Sequence, residues 1–238
     1  MSSDEPRPAA EPVADVLSAF RMDYLGAMRA GSGRAADRVV ERALDEHIIV
    51  NDIYLSIFQT TAYEIGRLWQ RNEFSVAQEH LATAIIERQM GDLHQQFKPR
   101  RDRKRTLVIG AVERELHRIG SRMVADFFEQ DGWTVHYLGA AVPTDTFIAM
   151  AKDMQADLIG LSSQMVYHVP TITAFVHALD QQGLGGIPVM AGGLPFVQQP
   201  TLYQSLGVRF SGADARAALR LADSLFPSDE EANDVTES

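Results

Sequence analysis

Six consecutive residues, Glu115-Leu116-His117-Arg118-Ile119-Gly120, set an imidazole two positions after a carboxylate and three before a glycine. Neutral imidazole is a good axial ligand for cobalt or iron, and an acidic neighbour can hold its second ring nitrogen and fix the tautomer. The glycine lets the backbone pass close to something bulky. The chemistry implied is a large metal–tetrapyrrole group carried on His117. The segment follows the hydrophobic run Thr106–Ala111 and precedes an amphipathic stretch, so it reads as the loop after the first strand of an α/β domain. Such loops face the crevice where these folds bind ligands.

Two more segments fall on the same edge of the expected sheet. Ser162-Ser163-Gln164 ends the third strand, with hydroxyls and an amide for a buried polar group, and Tyr167-His168 continues that loop along the cleft. Gly192-Gly193 ends the fourth strand, lacking side chains where an extended group could slide past. A ligand tail threading into the crevice would touch all three loops. His47, His94 and His177 have no partners at metal-ligand spacing and read as structural, and Met154, Met165 and Met190 as packing residues.

The elements that must position these loops follow from periodicity. Residues 106–111, 134–139, 157–162, 188–191 and 208–211 are short β-rich runs separated by helical stretches such as Met123-Val124-Phe127-Phe128. Alternating strands and helices imply a doubly wound parallel sheet, Rossmann-like and flavodoxin-like. Upstream, apolar residues recur at helical spacing from Val16 to Leu93, and Gly31-Ser32-Gly33 and Arg71-Asn72-Glu73 break the run, which predicts a four-helix bundle. The expected boundaries are a disordered N-terminus over 1–12, a helical cap over 13–97 and a solvated basic linker over 98–105. The α/β domain spans 106–226, and an acidic disordered tail covers 227–238.

Composition narrows the function. The 238 residues include no cysteine, which excludes disulfides, thiolate zinc, iron–sulfur clusters and a thioether-linked chromophore. A net charge of −10 argues against nucleic-acid binding. No apolar run approaches the roughly 18 residues of a membrane span, and a cytoplasmic protein is expected.

Residues 106–225 resemble cobalamin-binding domains of the base-off, His-on type. That family's pattern of Asp/Glu-x-His-x-x-Gly, Ser-x-Leu/Thr and Gly-Gly is matched by Glu115/His117/Gly120, Ser162 and Gly192/Gly193, with Gln164 departing from the usual Leu or Thr. Leu138-Gly139-Ala140-Ala141-Val142-Pro143 also resembles the family's second βα turn. The resemblance implies that His117 binds cobalt from below and that the nucleotide tail lies beside Ser162, Ser163 and Gly192-Gly193. In the bundle, Trp69 precedes Glu79-His80 by nine residues, with Val76 between them. This Trp-x9-Glu-His pattern resembles cobalamin photoreceptors of the CarH-like type, where the bundle caps the upper cobalt face. Gln70 stands where the transcriptional members carry a histidine, and their DNA-reading domain has no counterpart before the first helix. A bundle plus cobalamin domain is most similar to the short photocobilins.

The expectation is therefore a non-enzymatic light sensor holding adenosylcobalamin, with biliverdin or another bilin bound non-covalently. It would be a homo-oligomer, a dimer, signalling to a partner protein. The alternatives are a corrinoid methyl carrier for a methyltransferase system, or a cobalamin-binding antirepressor of a transcription factor.

Overall fold

A computed structural model describes residues 11–99 and 101–227, so most of the two expected tails lies outside the described residues. The chain forms two compact units, the first ending at Gln96 and the second starting at Phe97.

The first unit is helical: α1 (Glu11–Arg29), α2 (Gly33–Asp45), α3 (Val50–Asp52), a π-helical segment (Ile53–Gln59), α4 (Thr60–Gln70) and α5 (Val76–His94). The first helix begins two residues before the expected start, with Pro12 in the first turn, where its missing N–H leaves no bond unmade. The expected third helix is α3, the π segment and α4 run together. Ile53, Tyr54, Leu55, Ile57 and Phe58 are all buried. The wider π turn, with its i→i+5 bonds, brings more of them inward than an α-helical face of about 100° could. Buried polar groups link three helices. The Tyr24 hydroxyl donates to Gln89 Oε1, and Gln89 Nε2 donates to Asp37 Oδ1 at 2.8 Å. Arg88 Nη2 also donates to Asp37 Oδ1. Burial pushes the Tyr24 phenol well above the usual tyrosine range. Ser75 and Gln78 close a capping box that starts α5 after the α4–α5 turn.

The second unit carries β1 (Thr106–Ala111), α6 (Ile119–Asp131), β2 (Thr134–Tyr137), α7 (Thr144–Asp153), β3 (Leu158–Ser162), α8 (Val169–Gln181), β4 (Val189–Gly192), α9 (Leu194–Gln198), β5 (Arg209–Phe210) and α10 (Ala215–Leu225). The sheet is parallel in the order β2-β1-β3-β4-β5. Successive residues feed opposite faces. Val108 and Ile159 join Phe147, Phe175 and Phe196 in one core, while Leu107, Ile109 and Leu158 join Phe128, Trp133 and Met190 in the other. This order places the topological switch between β1 and β3, the strands that carry the Glu115–Gly120 and Ser162–His168 loops.

The basic run differs from the solvated linker expected. The Arg103 side chain is only 8% exposed and pairs with Asp131 and Asp223. Arg101 also reaches Asp131, and Arg105 reaches Asp157 at 2.7 Å. Acidic partners 28 to 120 residues downstream draw these cations onto the second unit.

The turn after β2 braces the end of β1. Gly139 O accepts from Ala111 N, and Ala141 N donates to Glu115 O at 2.8 Å. Ala141 does this at φ +53°, a left-handed conformation costing an L-residue roughly 1–2 kcal/mol. Ala141→Gly is expected to raise the unfolding free energy by about 0.5–1 kcal/mol, read as a higher urea midpoint at unchanged slope; a lower midpoint would contradict this account of the turn.

Candidate functional site

The loop from β1 to α6 is organised by Glu115, whose side chain is 1% exposed. Oε1 accepts from His117 N at 3.0 Å and lies 2.6 Å from His117 Nδ1. Oε2 accepts from Gln164 N at 2.8 Å and Met165 N at 3.1 Å, and lies 3.1 Å from His168 Nδ1. Burial alone would raise the pKa of this carboxyl. The bonds from the His117 side chain and backbone, His168 and Gln164 outweigh it and bring the value down to about 2.

An ionised carboxylate only accepts hydrogen bonds, so both facing Nδ1 atoms are donors. The proton of His117 is thereby assigned to Nδ1, and the lone pair of the neutral ring lies on Nε2, directed away from Glu115. The His117 side chain is 52% exposed. A metal binding this ring does so through Nε2, the arrangement in which a second-shell carboxylate raises ligand basicity.

The surroundings fit a large flat group. Leu116, Val166 and Tyr167 are exposed apolar side chains on the two loops that flank Glu115. Arg118 is the residue just before α6, and Ile119 and Gly120 lie in its first turn. A Cβ built on Gly120 would meet nothing within 4 Å. This glycine therefore serves no packing need within the chain and leaves room for something outside it. Gly193 is different. Its φ is +115°, and an added Cβ would stand 1.9 Å from Ser163 O. Gly192 accepts from Ser163 N at 3.0 Å, so the glycine pair locks the β3 and β4 loops together.

The Ser163 hydroxyl departs from expectation. It is buried and donates to Met165 O at 3.1 Å, so it shapes its own loop rather than facing a ligand tail. Ser162 is half-buried at the end of β3, and its carbonyl accepts from Val112 N. Gln164 contributes its backbone N–H to Glu115. Sequence reasoning did not give His168 its bond to Glu115. The signal available was Pro170, which marks the start of α8 and so sets His168 at the carboxyl edge of β3.

Trp69, Val76, Glu79 and His80 belong to the first unit and share its α4–α5 corner. Trp69 and Val76 are exposed. The Glu79 carboxylate accepts from Thr83 Oγ1 at 2.9 Å and pairs with His80 Nδ1 at 2.6 Å.

Comparison with known proteins defines the class. Residues 105–220 match a family model described as B12 binding domain, and residues 22–93 match a second model of the same description. The chain is thus a cobalamin-binding protein, a helical cap followed by a Rossmann-like cobalamin domain. The particular relatives are corrinoid proteins. Dimethylamine corrinoid protein 1 of Methanosarcina acetivorans is 37% identical over 93 residues, 39% of this chain and 44% of that protein. Dimethylamine corrinoid protein 2 of the same organism is 28% identical over 138 residues, 57% of this chain and 64% of that protein. The chain spans about half the length of the curated relatives it matches. The solved Methanosarcina barkeri monomethylamine corrinoid protein shares the fold, with TM-score 0.76 over 87% of this chain and 99% of that one at 18% identity.

These relatives overturn the light-sensor expectation. Trp-x9-Glu-His describes one corner of two helices, which a cap can keep whatever reaction it covers.

Two glycines give a paired test. Gly120→Ala is expected to leave the apo-protein's stability within about 0.5 kcal/mol while weakening cobalamin uptake in a titration. Gly193→Ala is expected to cost about 2–3 kcal/mol with no cobalamin present. Equal behaviour of the two variants would remove the distinction between cradle and clamp.

Proposed function

We propose that this chain is a corrinoid methyl carrier: it holds a cobalamin over His117 and exchanges methyl groups with methyltransferase partners. The observation that carries the reading is the Glu115-held imidazole, in a chain whose relatives are named methylamine corrinoid proteins. Small methylated amines are the corresponding substrate class. The upper ligand is then a methyl group in place of the adenosyl group expected from sequence, and the reading needs no bilin. A methyltransferase takes the place of the signalling protein, and the chain carries the group without itself being the catalyst.

When bound, the corrin's cobalt supplies the metal centre that accepts and gives up the methyl group. His117 would hold the cobalt through Nε2, with Glu115 holding the ring's tautomer and plane through Nδ1. Gly120, Leu116, Arg118, Ile119 and Tyr167 would border the bound corrin, and Ser162, Gln164, Gly192 and Gly193 would border its nucleotide part. Within the first unit, Glu79, braced by Thr83 and His80, keeps the α4–α5 corner in shape, where Trp69 and Val76 are exposed.

The decisive experiment is done in darkness. Protein holding reduced cobalamin is mixed with dimethylamine or trimethylamine and the matching methyltransferase, and the methylated cofactor is read from its absorption spectrum. Methyl uptake is expected for the native chain. His117→Ala should bind cobalamin about 10–100-fold more weakly, with an unchanged apo melting temperature. Spectral change confined to illuminated samples, with no uptake in the dark, would end the carrier reading.

A further inference from the structure

His168 stands where a third group on the Glu115 carboxylate can act on the ring of His117. The carboxylate has two sides. Among the described residues Oε1 pairs with His117 alone, through N and Nδ1, whereas Oε2 takes Gln164 N, Met165 N and His168 Nδ1. The two backbone donors belong to a loop locked to β4 through Ser163 N and Gly192 O, so they already fix where the carboxylate sits. Among the described residues, His168 is the one side chain besides His117 that pairs with this carboxylate. Its ring is 13% exposed and packs edge-on against Tyr167, with centroids 4.4 Å apart.

We propose that His168 is a positioning residue that tempers the lower axial ligand: its Nδ1–H draws carboxylate charge toward Oε2 and so weakens the pull of Oε1 on the His117 Nδ1–H. A carboxylate shares its charge among the donors it accepts, and each added donor weakens its hold on the rest. With His168 present, His117 keeps more neutral-imidazole character. Without it, Glu115 pulls harder on the Nδ1 proton, and Nε2 becomes a stronger donor. A stronger lower ligand favours the higher oxidation states of a bound cobalt over cobalt(I), the state that has to form for methyl uptake. Four bonds remain on Glu115 when His168 is removed, so the fold does not depend on it.

This inference rests on the reading of His117 as the cobalt ligand, and two measurements separate them. In the apo-protein labelled with 15N-histidine, the His117 Nδ1–H resonance reports the bond to Glu115 directly. In the cobalamin-loaded protein reduced to cobalt(II), electron paramagnetic resonance reports whether a labelled protein nitrogen lies on the metal, and a redox titration gives the cobalt(II)/cobalt(I) equilibrium. His168→Phe keeps the ring's bulk and removes the donor. It should move the Nδ1–H resonance downfield and shift the equilibrium about tenfold toward cobalt(II), about 59 mV more negative for one electron. His168→Asn sets an amide N–H near the Nδ1 position and should restore both values. Should His168→Phe not fold, His168→Gln, whose amide reaches past that position, takes its place. An unmoved resonance and equilibrium in the donor-less variant, or a shift toward cobalt(I), would overturn the proposal. A splitting indifferent to the 15N label in the native protein would instead remove His117 from the cobalt, leaving the apo resonance to decide the role of His168.

Discussion

One buried negative charge sets the geometry of the second unit's functional edge. A carboxylate shielded from water is costly unless donors replace its hydration. Glu115 finds five of them, on His117, Gln164, Met165 and His168. Hydrogen bonds to a charged group contribute about 1.5–3 kcal/mol each, enough together to hold the group ionised in spite of its burial. The same bonds tie the β1 loop to the β3 loop. The imidazole is therefore aimed and its tautomer chosen before any cofactor arrives, which removes part of the ordering cost of binding.

That arrangement depends on strand order. Glu115 and its donors at 164, 165 and 168 are about 50 residues apart in sequence and meet because β1 and β3 are neighbours. The chain passes through α6, β2 and α7 before β3 returns on the other side of β1. The turn after β2 then closes onto Glu115 O through Ala141, and the β4 loop closes onto Ser163 through Gly192 and Gly193. Each brace comes from a different βα turn. The left-handed backbones of Arg114, Ala141 and Gly193 lie in these turns, as strained conformations often do where function sets the geometry.

Much of this was legible in the sequence because it is local. Short apolar β-rich runs revealed the strands, the two-residue spacing of Glu115 and His117 allowed a carboxylate to reach a ring, and the paired glycines marked a close approach. What escaped was long-range. Nothing near Arg103 announces Asp131 and Asp223, so a charge run looked like a hydrated connector. Ser163 looked ligand-facing because composition does not say which way a hydroxyl turns. The π-helical stretch from Ile53 to Gln59 escaped because nearly every residue there is apolar, and such a run fits more than one helical pitch.

The misassigned function has a physical cause of the same kind. The lower half of a cobalamin site asks for one thing, a held imidazole, whether the upper ligand is broken by light or handed to a partner. A Glu115–His117 pair would meet that need in either case and so does not distinguish the two uses. A pattern on the cap carries little more weight, because Trp69, Val76 and Glu79 mark one corner of two helices whatever the bundle serves. What separates a carrier from a sensor is whether a partner protein exchanges a group with the cofactor, which a held imidazole alone does not encode. The cap's cohesion comes from its apolar core and from the chain of Tyr24, Gln89, Asp37 and Arg88, which joins α1, α2 and α5. None of these bonds involves α4, the helix that carries Trp69 to its corner. Buried Thr61, Ile65 and Leu68 hold that helix instead, so its place rests on apolar packing rather than on this run of polar bonds.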